Sequence, residues 1–318
     1  MDDLIASLPR NYLLDASLYV FRAYHSLKPD WKTAEGEPTH AAHGFVSTLL
    51  NLLEQSRPDR LAVCFDGSLT TSFRNQIYPQ YKANRPPPDP NLLIQFDLCQ
   101  RFARALGTHS LIDNSFEADD LIGTLAARLR AEGHRYVIVS ADKDLGQLLG
   151  EHDRQWDFTK GEPVGPDGVL ERFGVRPDQL ADWLALCGDA IDNIPGVQGV
   201  GAKTAAQLLR HFDSLDALLQ RVDEVAFLKS LRGAPQVCLK LKAGRELALL
   251  CKQLTVIAEH APVPALEALA PLEPDLARFD ALCDEAGFGS VLRVRARRWH
   301  RLHAARHAAA AAQGGAAP

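Results

Sequence analysis

A chain of 318 residues exceeds one average domain and falls short of three, so an α/β domain followed by a smaller helical one is the default. Its formal charge of −5 argues against nonspecific clinging to nucleic acid, and six scattered cysteines without CxxC or Cys/His spacing point to buried reduced thiols rather than zinc or disulfides. With no signal peptide and no apolar run of bilayer length, a cytoplasmic chain without membrane contact is expected.

The apolar run Tyr12–Leu14 predicts a strand, followed by a helix over Ser17–Ser26 and, after a polar loop, a helix over Ala41–Gln55 with Thr39 as its N-cap. A second strand, LAVCF, ends at Asp66. From Gly67 to about Pro90 the hydrophobic periodicity fades while Arg74, Tyr78, Tyr81, Lys82 and Arg85 accumulate, which reads as a long mobile loop with some helix. A helix over Asn91–Leu106, a strand over His109–Ile112, a helix over Ala118–Glu132 and a strand over Tyr136–Ser140 then alternate as a parallel α/β sheet requires. Beyond about Pro166 only short helices are expected, with a soft domain boundary near residue 190. Residues 293–318 hold six arginines and no acid, and read as a basic helix or disordered arm running into alanine-rich disorder. Without that tail, 29 Lys and Arg face 40 Asp and Glu, a net of −11.

Nine of those acids fall where a fold can aim carboxylates into one cleft: Asp15, Asp66, Glu117, Asp119, Asp120, Asp142, Asp144, Asp189 and Asp192. Asp15, Asp66 and Asp142 follow predicted strands, and ligands of open α/β sheets bind beyond the carboxyl ends of strands. Taken singly, each acid has a local explanation: Asp66-Gly67 as a turn, Ser115 and the acids after it as a helix cap, Asp189 to Asn193 as a polar turn. Taken together, converging carboxylates stay ionised only beside cations, so bound hard metals or raised pKa values follow, and two magnesium ions satisfy the set. Downstream, Gly196, Gly199 and Gly201 precede a helix whose first turn carries Lys203 and Thr204, an arrangement that turns backbone N–H groups toward a phosphate and fits neither the dinucleotide nor the P-loop fingerprint.

In order and flanking residues, the motifs YLLDAS, FDGSLTTSFRNQIYPQYKANRPPPD, FEADD, SADKDLGQLL, GDAIDNIPGVQGVGAKTA and FGSVL resemble those of the bacterial 5′-nuclease family. That family comprises the 5′-3′ exonuclease domain of DNA polymerase I, its free-standing homologues and their flap-endonuclease relatives, and the likeness spans about Arg10 to Leu292. The resemblance implies a parallel-sheet PIN-like nuclease domain over 1–190 with a helical arch at about 67–90. A smaller all-α helix-hairpin-helix domain over 191–292 would follow, then a disordered basic tail over 293–318.

The resemblance also implies roles. Asp15, Asp66, Glu117, Asp119 and Asp120 would gather about one Mg²⁺, and Asp142, Asp144, Asp189 and Asp192 about another, with Mn²⁺ as a substitute. Lys82 and Arg85 would act catalytically on the scissile phosphate, and Tyr81 and Arg74 would meet nucleic acid beneath the arch. Gly196, Gly199, Gly201, Lys203 and Thr204 would grip duplex DNA, with K⁺ as a further ion. The expected partner is DNA with a 5′ flap or a free 5′ end, acted on by a monomer that takes no small-molecule substrate, in replication and repair. With little sequence after FGSVL, the likeness is to the free-standing form. Two rivals remain at this stage: a ribonuclease with a related acidic cleft, and a structured-DNA binder without catalysis.

Overall fold

The computed structural model describes residue 5, residues 7–68 and residues 71–314, the last six of these as backbone only. Among them, strands β1 (Asn11–Asp15), β2 (Arg60–Asp66), β3 (His109–Asp113), β4 (Val137–Val139) and β5 (Arg154–Trp156) form one parallel sheet in the order β3-β2-β1-β4-β5. β5 is absent from the sequence-based expectation, because three residues containing Arg154 and Gln155 carry little apolar signal; pairing with β4 at the sheet edge makes the strand.

Alternation along the strands separates two cores. Leu13, Ala62, Cys64 and Ile138 face one side and Tyr12, Leu14, Val63, Phe65 and Val139 the other. The first side lies under α5 (Ala118–Ala131), and its cluster of buried residues continues through α7 (Leu180–Cys187), α8 (Ala202–Phe212) and the later helices to Leu269. The second lies under α1 (Ala16–Ser26), α2 (His40–Ser56) and α4 (Pro90–Ala105). Between β2 and α4 the described residues form the short α3 (Phe73–Ile77), and α6 (Pro166–Phe173) precedes α7. The remaining helices are α9 (Leu215–Gln220), α10 (Ala234–Ala243), α11 (Arg245–Thr255), α12 (Leu276–Glu285) and α13 (Ser290–Gly314). No described helix is long and apolar enough to cross a membrane, and all six cysteines are free.

Two expectations hold only in part. Thr39 does precede α2, but its hydroxyl donates to the Ala286 carbonyl at 2.8 Å; the first amides of α2 are met instead by Gln95 Oε1, which accepts from Ala41 N at 2.7 Å and Ala42 N at 3.2 Å. Of the two readings of the basic segment the helix holds, and it continues through residue 314 into the alanine-rich stretch expected to be disordered, while 315–318 lie outside the described residues. Leu292, Ala296, Trp299 and His303 recur at helical spacing and are buried, Trp299 donating from Nε1 to the Leu106 carbonyl at 3.1 Å. Arg295 reaches Glu54 at 3.2 Å and Arg306 donates to the Pro58 carbonyl at 2.6 Å, so the basic residues dock on α2 and the turn after it. Truncating a Trp buried this way costs about 3–5 kcal/mol, enough to hold an arginine-rich segment in place.

Candidate metal centre

The strand order reverses at β1, which lies between β2 and β4, and the acids stand at the carboxyl ends around this switch point. Asp15 ends β1 and caps α1, Oδ1 accepting from Leu18 N at 3.1 Å and Oδ2 from Ser140 Oγ at 2.8 Å. Asp66 ends β2; its Oδ1 accepts from Ala118 N at 2.9 Å while its own amide donates to Ser17 Oγ at 2.9 Å. Asp142 follows β4, its amide donating to Ser140 Oγ at 3.0 Å and its Oδ1 accepting from Asp144 N at 2.9 Å. Asp119 sits in the first turn of α5. Ser17 and Ser140, which set these orientations, do not appear among the sequence candidates; a hydroxyl two residues from a strand-end acid is the signal that finds them.

Burial and mutual repulsion outweigh the cations that the protein offers these carboxylates. Burial, then the neighbouring Asp66, pushes Asp15 up to about 7, and burial with Asp142 pushes Asp144 up to about 7. Asp66 is raised by burial and Glu117, and Asp119 is held well above the carboxylate range by burial, Asp142 and Asp15. Asp144 Oδ1 is buried without a hydrogen bond, the Lys143 ammonium standing 3.1 Å away. Among the described residues no three ligand side chains already converge into a closed cage. An anionic, unsatisfied and open donor set of this kind fits hydrated divalent ions, which keep several waters and take few protein carboxylates directly.

A second group of acids is compensated by the protein itself. Arg74 is 3% exposed and forms a fork with Asp120, Nη1 to Oδ2 and Nη2 to Oδ1 both at 2.8 Å. It also donates to Glu117 Oε2 at 2.9 Å and to the carbonyls of Leu254 and Val256 at 2.9 and 3.0 Å. Asp120 further accepts from Ala258 N at 2.9 Å and Glu117 N at 3.0 Å, so both its oxygens are in use. Arg74, expected at nucleic acid, is therefore sequestered, and Asp120 is not brought into the strand-end group. Tyr81, expected to offer a face to a base, is 4% exposed; its hydroxyl bonds Glu117 Oε2 at 2.9 Å and Asp192 Oδ2 at 3.2 Å, and the Lys82 ammonium covers its ring at 4.9 Å. Lys82 itself pairs with Glu117 and lies 3.8 Å from Asp192. Burial opposes the charge of Glu117, but Lys82 and Arg74 outweigh it and hold that carboxyl low.

The loop expected to be mobile is tied down where it is described, Leu69 and Thr70 lying outside the described residues. Lys82 N donates to the Asp192 carbonyl at 3.0 Å, Asn84 to the Ala190 carbonyl at 2.9 Å, Asn193 to the Gln80 carbonyl at 2.6 Å, and Arg85 to Asp192 Oδ1 at 2.6 Å. Lys82 takes a left-handed φ of 56°, uncommon for a side-chain-bearing residue, which this docking enforces. Lys82 and Arg85 line a cavity of 470 Å³ with Asp66, Glu117, Phe21 and Pro87.

On the other side of this turn, Asp189 and Ile194 exchange two backbone hydrogen bonds of 2.8 Å, and Lys143 donates to Asp189 Oδ2 at 2.6 Å. Gly196 has φ 66°, and a Cβ there would lie 2.3 Å from Gly188 N, so no larger residue fits. Gly199 turns the chain with φ 75°, Gly201 precedes α8 with open space before it, Lys203 is exposed and Thr204 half-buried. Lys203 shares a concave surface with Arg172 and Arg210.

Residues 10–174 match the model of the 5′-3′ exonuclease N-terminal resolvase-like domain and residues 175–277 that of the 5′-3′ exonuclease C-terminal SAM fold. The chain is 38% identical over 271 residues to DNA polymerase I of Rhizobium leguminosarum, covering 83% of this chain and 26% of that protein. It is 40% identical over 282 residues to DNA polymerase I of Pseudomonas aeruginosa, covering 88% and 31%. The chain thus spans between a quarter and a third of the length of these relatives. Among solved structures, zinc-bound 5′-exonuclease of bacteriophage T5 superposes with a TM-score of 0.63 at 21% identity, covering 91% of this chain and 97% of that one. Flap endonuclease-1 from Methanococcus jannaschii does so with 0.64 at 17% identity, covering 96% and 95%. At such identities the structural likeness speaks for the fold: a PIN-like α/β domain followed by a SAM-like helical one.

Proposed function

Since the chain belongs to the 5′-3′ exonuclease family, a family of hydrolytic nucleases, we propose that it hydrolyses DNA phosphodiesters with Mg²⁺, or Mn²⁺ in its place. It acts from free 5′ ends and at 5′ flaps where single strand meets duplex. The observation that carries this is the set Asp15, Asp66, Asp119 and Asp144 around Asp142 at the sheet's switch point, where burial and mutual repulsion outweigh the nearby lysines and the four raised pKa values ask for cations. Bound divalent ions supply an activated water and absorb charge on the departing oxygen. Asp15, Asp66 and Asp119 hold one position, with Glu117 beside it tied to Arg74 and Lys82, and Asp142, Asp144, Asp189 and Asp192 hold the other, while Ser17 and Ser140 fix the strand-end geometry.

Lys82 and Arg85, lining the cavity beside Asp66, neutralise the phosphate that enters it. Gly196, Gly199, Gly201, Lys203 and Thr204 anchor the duplex through α8, with K⁺ at the same turn. A DNA substrate is supported by two structural neighbours, a T5 flap endonuclease complex with DNA and metal ions and the Rad2 catalytic core with its DNA substrate. The likeness to DNA polymerase I supports a role in replication and repair, and six free thiols suit a reducing cytoplasm. We take the protein to act as a monomer.

The test is a 5′-labelled flap duplex incubated with and without Mg²⁺, beside a matched RNA hairpin. Cleavage near the flap junction in Mg²⁺ alone is expected. Cleavage without divalent ions, or of the RNA in preference to the flap, would overturn the proposal.

A further inference from the structure

Lys143 lies between two acids in sequence and between two in space. Its ammonium stands 2.6 Å from Asp189 Oδ2 and 3.1 Å from Asp144 Oδ1, three-quarters withdrawn from solvent. The carboxylate of Asp189 is held independently, Oδ1 accepting from Ile191 N at 2.8 Å, and the adjacent Asp142 is held by the Asp144 amide. Asp189 is thus anchored to backbone and Asp144 Oδ1 has no hydrogen bond of its own, whereas Lys143 reaches both on a flexible four-carbon stem. An ammonium and a divalent ion compete for the same oxygens, and both charges together would repel one another strongly at that distance. Lys82 differs, because its own amide is bonded to the Asp192 carbonyl and its backbone is locked in the left-handed region.

Building on the metallonuclease reading, we infer that Lys143 is an exchangeable internal counter-ion. It closes the Asp144–Asp189 cation position in the free protein and leaves it when a divalent ion enters with the negatively charged DNA. The free protein then holds one divalent ion well and the second only weakly, which keeps the complete site from assembling before substrate is bound. Once displaced, the ammonium takes the incoming phosphates as its new partner.

The test is a calorimetric titration of Mn²⁺ into the full chain without DNA. Wild type should bind one ion tightly, and Lys143→Met should bind a second at least about tenfold more tightly than wild type does, since a competing charge has gone. Lys143→Arg, which keeps the charge, should retain the wild-type pattern and guards against a folding artefact. Mass spectrometry after reductive methylation adds a readout that a structural role would not move: labelling of Lys143 should rise as the second Mn²⁺ position fills, while the exposed Lys240 stays constant. Equal stoichiometry and affinity in wild type and Lys143→Met, or unchanged labelling, would overturn the counter-ion role while leaving the metal centre standing. Absence of Mn²⁺ binding in every protein would overturn the metallonuclease reading and this inference with it.

Discussion

Two groups of acids lie side by side in this molecule and are treated in opposite ways. At the strand ends, Asp15, Asp66, Asp119 and Asp142 face one another, and burial with mutual repulsion raises the first three. Beside them, Asp120 and Glu117 are buried no less but are answered by Arg74, Lys82 and Tyr81. Identical chemistry in adjacent positions of one motif, FEADD, therefore divides by partner: Asp120 ties α5 to α3 and to the end of α11, while Asp119 is left for something the chain does not supply. The lesson is that a carboxylate's task is read from what neutralises it and not from its place in a motif.

Removing one charge from each group should have opposite consequences. Asp66→Asn should abolish flap cleavage, by about a thousandfold or more, and yet leave the metal-free protein as stable as wild type or more so, because a repelling charge is gone. Asp120→Asn should instead destabilise by about 3–5 kcal/mol, since it leaves the Arg74 guanidinium buried with half its fork unpaired. Thermal melts in EDTA alongside flap assays check both. Melting shifts of the same sign would erase the distinction between the groups.

The next effect is catalytic. Lys82→Ala should lower kcat about a hundredfold with little change in KM, because a cation beside the reacting phosphate acts mainly on charge developing in the transition state. Gly199→Val with Lys203→Ala should do the reverse, weakening duplex binding several-fold and reducing the slope of log affinity against log salt by about one. Single-turnover kinetics and anisotropy titrations separate the two; matched losses of rate and affinity in both variants would dissolve the division between site and anchor.

How much of this is legible in the sequence follows from the range of each interaction. Asp15, Asp66 and Asp142 can be read because a buried parallel strand is a local pattern and its carboxyl end is where ligands gather. The fate of Asp120 cannot, because its partner Arg74 is 46 residues away and the two meet only through tertiary packing. Tyr81 and Arg74 look available in a polar loop; Tyr81 is buried where that loop docks on 189–194, and Arg74 where it meets Asp120 and the Leu254 and Val256 carbonyls. The Leu292, Ala296, Trp299 and His303 stripe is present in the sequence, but six arginines around it mask a docking helix as a basic tail.

If the strand-end acids form a charge cluster awaiting cations, melting of the metal-free protein must depend on pH. Asp15 and Asp144 titrate near 7 when folded, against about 3.9 when unfolded. Below about pH 4 both states are protonated and the pair contributes nothing. Between about pH 4 and 7 the unfolded chain releases protons that the folded chain retains, so stability falls as pH rises and levels off above 7. The expected result in EDTA is a loss of a few kcal/mol between pH 5 and pH 8, largely restored at pH 8 by Mg²⁺ or Ca²⁺. A metal-free protein equally stable at both pH values, with melting indifferent to divalent ions, would contradict it.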